Sequence, residues 1–237
     1  MASSPFRFKK FEVQQDGAAH LVGTDAVLLG AWADVTGVRS VLDIGTGTGV
    51  VALMLAQRSD DPVHLTAIEI HPPSAALARH NFAASPWSER LQVVEVSVQN
   101  FAQNIDQRFD LIVSNPPFFS ELTFSPDPAR QLGRHTASLS PGDLLEAVQK
   151  LLAPKGRFCV VLPALEAQRI CELAVPMGLY WTKIVQVRGR ADKPVERWLV
   201  QFERNPYPLH MEEWVIYERE RIYTAAFQRW TAAYYLG

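Results

Sequence analysis

Val41-Leu42-Asp43-Ile44-Gly45-Thr46-Gly47-Thr48-Gly49-Val50-Val51-Ala52-Leu53 is the stretch whose reading decides the fold. An apolar run ends in an acid, three alternating glycines follow, and apolar residues resume at helical spacing, so the segment reads as strand, tight turn and helix. Gly45 and Gly47 open backbone conformations closed to residues with a Cβ, and the new helix points unpaired N–H groups into the same space. A polar ligand belongs there; the alternative is a turn that merely joins strand to helix. The spacing argues against a dinucleotide and excludes a nucleoside triphosphate loop. A dinucleotide fingerprint needs glycine at the sixth position, which is Val50, and a triphosphate loop needs a Lys-Ser or Lys-Thr that does not follow.

Working outward, Val63 to Ile70 reads as a second buried strand and Pro72 to Ala84 as its helix. Glu69 then falls at the carboxyl end of the strand beside Asp43, where a carboxylate can accept both hydroxyls of a ribose, with Ile70 next to it. Leu91 to Val96 is a third strand, followed by Ser97 and Val98. Phe109 to Ser114 is a fourth, stopped by Pro116 and Pro117, which parks Asn115 at the strand's carboxyl end. Ligands of open parallel sheets bind along that edge. Upstream, Ala26, Leu29 and Trp32 have helical spacing, and Thr24 or Asp25 is placed either to cap this helix or to face a ligand's charged end.

Asp-x-Gly-x-Gly-x-Gly resembles the cofactor loop of class I S-adenosylmethionine-dependent methyltransferases. Asn115-Pro116-Pro117-Phe118 resembles the motif with which methyltransferases of exocyclic or amide nitrogens hold their substrate. The resemblance implies a Rossmann-like α/β fold: a seven-stranded, mostly parallel sheet with the last strand antiparallel and helices on both faces. It implies S-adenosyl-L-methionine as cofactor, held by Asp43, Gly45, Thr46, Gly47, Gly49, Glu69, Ile70, Ser97, Val98 and Asn115, with Thr24 and Asp25 nearby. Many members carry an acid near Ser97 against the cofactor's adenine; here the hydroxyl, backbone groups and Val98 would substitute. The amide oxygen of Asn115 and the carbonyl of Pro116 can each accept one N–H of a planar amino group, while Phe118 offers a stacking face.

The rest of the chain fits one domain spanning 1–237. It has 48% hydrophobic and 20% charged residues and a net charge of −2, so bulk charge announces no nucleic-acid partner. No apolar run reaches the ~18 residues of a membrane span, and Met1 to Lys10 lacks a signal peptide's apolar centre. A cytoplasmic protein with no membrane association is therefore expected. Cys159 and Cys171 read as buried free thiols, no histidine spacing suits a metal, and no obligate protein partner is evident.

Ser120 to Ser140 is a polar loop following the Asn115 turn, and its Arg134 and His135 either meet phosphate or a base or are simply solvated. Pro141 to Ala153 reads as a helix capped by Ser140, Gly156 to Leu162 as a fifth strand, and Ala164 to Val175 as a helix. Leu179 to Val187 and Glu196 to Glu203 are two long strands that must run antiparallel. The hairpin between them carries Arg188, Arg190 and Lys193, a local basic footprint joined by Lys9 and Lys10, or else an ordinary solvated turn. Phe227, Trp230 and Tyr234 form an aromatic stripe expected to pack a last helix on the body.

Phe8 to Trp32, with Gly23-Thr24-Asp25-Ala26-Val27-Leu28-Leu29-Gly30-Ala31-Trp32, together with the two motifs above and Arg134 to Leu139, resembles the bacterial tRNA1(Val) adenine-37 N6-methyltransferase family. The similarity spans nearly the whole chain. It implies methylation of the N6 amino group of an anticodon-loop adenosine in a valine tRNA, with residues 1–36 covering the cofactor and available to contact RNA. The same amide chemistry leaves glutamine methylation of a release factor, or adenine-N6 methylation of ribosomal RNA or DNA, as alternatives.

Overall fold

The computed structural model describes residues 4–18, 20–59, 62–117 and 139–236. Phe118, Arg134 and His135 lie outside them. A two-stranded hairpin, β1 (Phe6–Arg7) and β2 (Glu12–Val13), precedes helix α1 (Thr24–Trp32). The alternating core follows as β3 (Ser40–Ile44), α2 (Val50–Arg58), β4 (His64–Glu69), α3 (Pro72–Ala83), β5 (Leu91–Glu95), α4 (Val98–Asn104) and β6 (Phe109–Ser114). Then come α5 (Pro141–Leu151), β7 (Leu152–Pro163), α6 (Ala164–Ala174), β8 (Tyr180–Arg190), β9 (Val195–Glu203), β10 (His210–Arg219), β11 (Ile222–Tyr223) and α7 (Ala225–Thr231).

The main sheet has the order β11-β10-β8-β9-β7-β6-β3-β4-β5. From β5 to β8 this is the seven-stranded arrangement the resemblance implies, with β9 antiparallel between β7 and β8. The strand count is corrected: β10, parallel to β8, and β11, antiparallel to β10, extend the sheet to nine strands among the described residues. β7 also begins earlier than Gly156, at Leu152, with an irregularity opposite β6.

One apolar cluster joins the sheet to the N-terminal hairpin, α1, α2 and α7; the other lies on the opposite face under α4, α5 and α6. β3, β4 and β6 are almost continuously buried because helices cover both their faces. α5 starts where its sequence says it should. Ser140 accepts from the Asp143 N–H, the Asp143 side chain accepts from the Ser140 N–H, and Pro141 occupies the first turn. α1 and α2 pack closely because Gly30 lacks a Cβ: one built there would sit 2.8 Å from Met54 Sδ and 2.9 Å from Met54 Cβ. Arg58 of α2 secures the same contact by donating to the carbonyls of Gly30 (2.9 Å) and Ala33 (3.0 Å) at the end of α1.

The aromatic stripe packs as expected: Phe227 and Tyr234 are buried, and Trp230 stacks on Trp214 of β10 with centroids 3.6 Å apart. Cys159 and Cys171 are buried free thiols, and burial pushes both up to about 12. Among the described residues no helix is long and apolar enough to cross a membrane, and no group of three His, Cys, Asp or Glu could hold a metal.

Candidate active site

The glycine loop leaves β3 at the carboxyl edge and enters α2 at Gly49. Gly45, Gly47 and Gly49 have φ of 70°, 57° and 84°, left-handed values natural to glycine. A Cβ added at Gly45 or Gly47 would meet nothing within 4 Å, so the loop borders open space. At Gly49 it would lie 2.5 Å from a ring carbon of Phe82, so that glycine instead lets α3 close on the loop. The loop's cradle is thus open toward a ligand on one side and packed on the other.

Two carboxylates shape it. Asp43 is buried and accepts the Thr46 hydroxyl at 2.6 Å. Burial pushes its carboxyl up to about 7; the Thr46 hydroxyl and the Ala52 N–H oppose the shift, and the charge of Glu69 adds to it. Glu69 accepts the Gly47 N–H on one oxygen and the His71 N–H on the other, both at 2.9 Å. It therefore ties the glycine loop to the β4–α3 turn. Each oxygen keeps lone-pair capacity for a further donor.

The backbone supplies the rest of the frame. Ile68 O accepts the N–H groups of Gly45 (2.9 Å) and Thr46 (3.1 Å). Ile44 pairs with Ser114, so Gly45 and Asn115 leave adjacent strands at the same level, and the Ser114 hydroxyl donates to Ile44 O at 2.9 Å. Asn115 is half-buried, Pro116 buried and Pro117 exposed. The sheet thus brings the glycine loop, Glu69 and Asn115 to one edge. Ile70, immediately beyond Glu69, is 50% exposed and offers an apolar face there.

A family model described as the methyltransferase small domain matches residues 23–170. A relative from Trichodesmium erythraeum, named tRNA1(Val) (adenine(37)-N6)-methyltransferase, is 41% identical over 237 residues, covering 100% of this chain and 99% of its own. The chain belongs to the tRNA1(Val) (adenine(37)-N6)-methyltransferase family. An identically named relative from Aeromonas hydrophila is 42% identical over 234 residues, covering 99% of this chain and 98% of its own. Among solved structures, one described as a predicted O-methyltransferase from Agrobacterium tumefaciens superposes with a TM-score of 0.66 at 17% identity, covering 89% of this chain and 96% of that one. At that identity it shows the methyltransferase fold alone.

Asp25, Ser97 and Val98, also singled out in the sequence, make contacts within the protein. Thr24 and Asp25 do not cap α1: the cap position is Gly23, in extended conformation, and no side chain bonds there. Asp25 pairs with Arg197 of β9 at 2.8 Å. Because β9 runs antiparallel and Arg197 sits opposite Pro163, that pair lies at the same carboxyl edge. The Ser97 hydroxyl caps α4 by accepting the Asn100 N–H at 3.2 Å, and the Val98 side chain is buried in the core, which leaves chiefly backbone there for an adenine.

Two members of the basic footprint, Arg188 and Arg190, are paired with carboxylates. Arg188 pairs with Glu213 at 3.0 Å and donates to the Lys193 carbonyl at 2.6 Å, and Arg190 pairs with Asp192 at 2.7 Å. Lys9 donates to Ala232 O at 2.7 Å, and Lys10 is exposed.

The sequence reading missed Asn81. Its side chain, buried in α3, accepts the Gln14 N–H at 2.9 Å and donates to the carbonyls of Gln14 (3.0 Å) and Thr48 (2.8 Å). It joins the N-terminal segment to the glycine loop. An asparagine inside a helical pattern was the only signal, and a polar residue there is ordinarily read as solvent-facing.

Proposed function

We infer that this methyltransferase methylates the N6 amino group of adenosine 37 in tRNA1(Val). One observation carries the reading: relatives so named match the chain almost end to end, and Asn115-Pro116-Pro117 leaves β6 beside the glycine loop. The cradle at Gly45 and Gly47 fits an S-adenosylmethionine cofactor, since it is open above both glycines and bordered by Asp43 and Glu69. When bound, that cofactor supplies an electrophilic methyl group.

The chain's own groups do the rest. Asp43 and the open backbone at Gly45 and Gly47 face the cofactor's charged end, Glu69 accepts ribose hydroxyls, and Ile70 packs against the adenine. Thr24 and Asp25 approach from α1. The Asn115 amide oxygen and the Pro116 carbonyl each accept one N–H of the target amine, which orients its lone pair, and Phe118 stacks on the base. Neither acceptor is a base at neutral pH, so catalysis rests on orientation rather than proton abstraction. The target lies in a single-stranded loop, where splaying out one base costs little stacking. Lys10, Arg134 and His135 contribute to holding the RNA backbone, joined by the hairpin residues Arg188, Arg190 and Lys193 and by Lys9 as their intramolecular bonds allow. A tRNA substrate places the enzyme in the cytoplasm.

Asn115→Ala should lower kcat on unmodified tRNA about 100-fold or more, the cost of a misplaced reactant, while the cofactor Kd stays within about twofold. Activity near that of the unaltered enzyme would remove Asn115 from its assigned role.

A further inference from the structure

The two strands beyond the seven-stranded arrangement build a second feature at the active edge. β8 and β10 run parallel to β7 and β6, so the β8–β9 hairpin and the β10–β11 turn emerge at the same edge as Asn115. In the sheet order β10 lies four strand spacings from β6, about 19 Å at ~4.8 Å each. Arg190, Tyr217 and Tyr223 are successive cross-strand partners, so their side chains stand in a row on one face. With Glu220 and Arg221 they line a cavity of about 420 Å³. Tyr217 and Tyr223 are half-buried and stack 5.1 Å apart, and Phe227 braces Tyr223 from behind at 4.5 Å.

Arg221 stands out. Among the described residues it is the non-glycine residue of left-handed backbone, φ 62°, in a turn position where glycine or asparagine is usual. An arginine held there spends conformational energy that a glycine would not, and its exposed side chain forms no ion pair with another described residue. Arg190, by contrast, is held by Asp192 and shares the cavity wall with Glu220. Arg221 is the guanidinium available to a ligand.

We propose that the β10–β11 turn is a second nucleotide subsite, in which Tyr217, backed by the stacked Tyr223 and Phe227, receives an unpaired base or ribose of the tRNA and Arg221 holds the adjoining phosphate. The chemistry matches single-strand recognition, an aromatic platform beside a cation, on the edge where the target base must arrive. The subsite rests on the tRNA reading above and fixes how the arm lies across the sheet, from Asn115 toward β11.

The test is steady-state methylation of an unmodified tRNA1(Val) transcript by the full chain carrying Arg221→Gly or Tyr223→Ala. Turnover by the unaltered enzyme is read first and judges the tRNA reading by itself. Arg221→Gly suits the turn's backbone, so its Tm should hold or rise. The subsite requires the KM for tRNA to rise about tenfold with kcat and the cofactor KM unchanged, and the salt dependence of binding to lose about one phosphate contact. Tyr223→Ala should raise the same KM. A tRNA KM within twofold of the unaltered enzyme in Arg221→Gly, with the salt dependence intact, would overturn the proposal even if Tyr223→Ala proved unstable.

Discussion

Asp43 is a carboxylate that burial keeps protonated toward neutral pH, and this gives it two measurable consequences. Its ordinary value is 3.8 and its folded value about 7, so between those pH values the folded chain holds one proton more than the unfolded chain. Stability from this group is therefore full below pH 3.8, falls as pH rises toward 7, and is flat above. The fall is on the order of 4 kcal/mol for a shift of about three units. Asp43→Asn removes the titration while an amide oxygen can still accept the Thr46 hydroxyl, so Tm should fall less between pH 5 and pH 8 in the variant. A cationic cofactor favours the ionised carboxylate, so cofactor affinity should rise with pH through 7 in the unaltered protein and stay flat in Asp43→Asn. Thermal scans and cofactor titrations at both pH values check this; parallel curves would remove Asp43 from the account. The position of Asp43 was legible in the sequence because acid and glycines follow an apolar run. Its protonation was not, because that depends on helices covering both faces of β3.

At the scale of elements, the close packing of α1 on α2 turns on Gly30. Alanine there would gain about 1 kcal/mol of helix propensity, whereas overpacking costs about 1 to 3 kcal/mol. The second effect should win, because the clash includes Met54 Cβ, which a rotamer change cannot move, as well as the mobile Sδ. Gly30→Ala should lower unfolding free energy by up to about 2 kcal/mol in denaturant titration; a stabilised variant would mean that α1 shifts freely. The alternating core elements were readable because each strand is a short apolar run and each helix has an apolar stripe. β10 was not: its first four residues, His210 to Glu213, are exposed, and only Trp214 and Ile216 turn inward. The capping reading of Thr24 and Asp25 failed for a related reason. Asp25 answers to Arg197, 172 residues away, which local capping rules cannot see.

Over the whole molecule, parallel strand directions gather the glycine loop, Glu69, Asn115, the Asp25–Arg197 pair and the β10–β11 turn along one edge. The N-terminal hairpin is fixed to the C-terminal end by the Lys9 N–H, which donates to Tyr234 O at 2.8 Å, and by Phe8 beside Tyr234 and Tyr235. The glycine-loop end and the β10–β11 end are thus parts of one packed body, joined by the cluster that runs through α1, α2 and α7. A net charge of only −2 fits this arrangement, since recognition along an edge needs local cations and aromatics rather than a global field. The most direct measurement is transfer of labelled methyl from S-adenosylmethionine to tRNA lacking this modification, followed by digestion and mass spectrometry of the nucleosides. The account predicts N6-methyladenosine at position 37 of tRNA1(Val). Cofactor binding with no label in that tRNA, and label instead in ribosomal RNA, DNA or a protein glutamine, would contradict it.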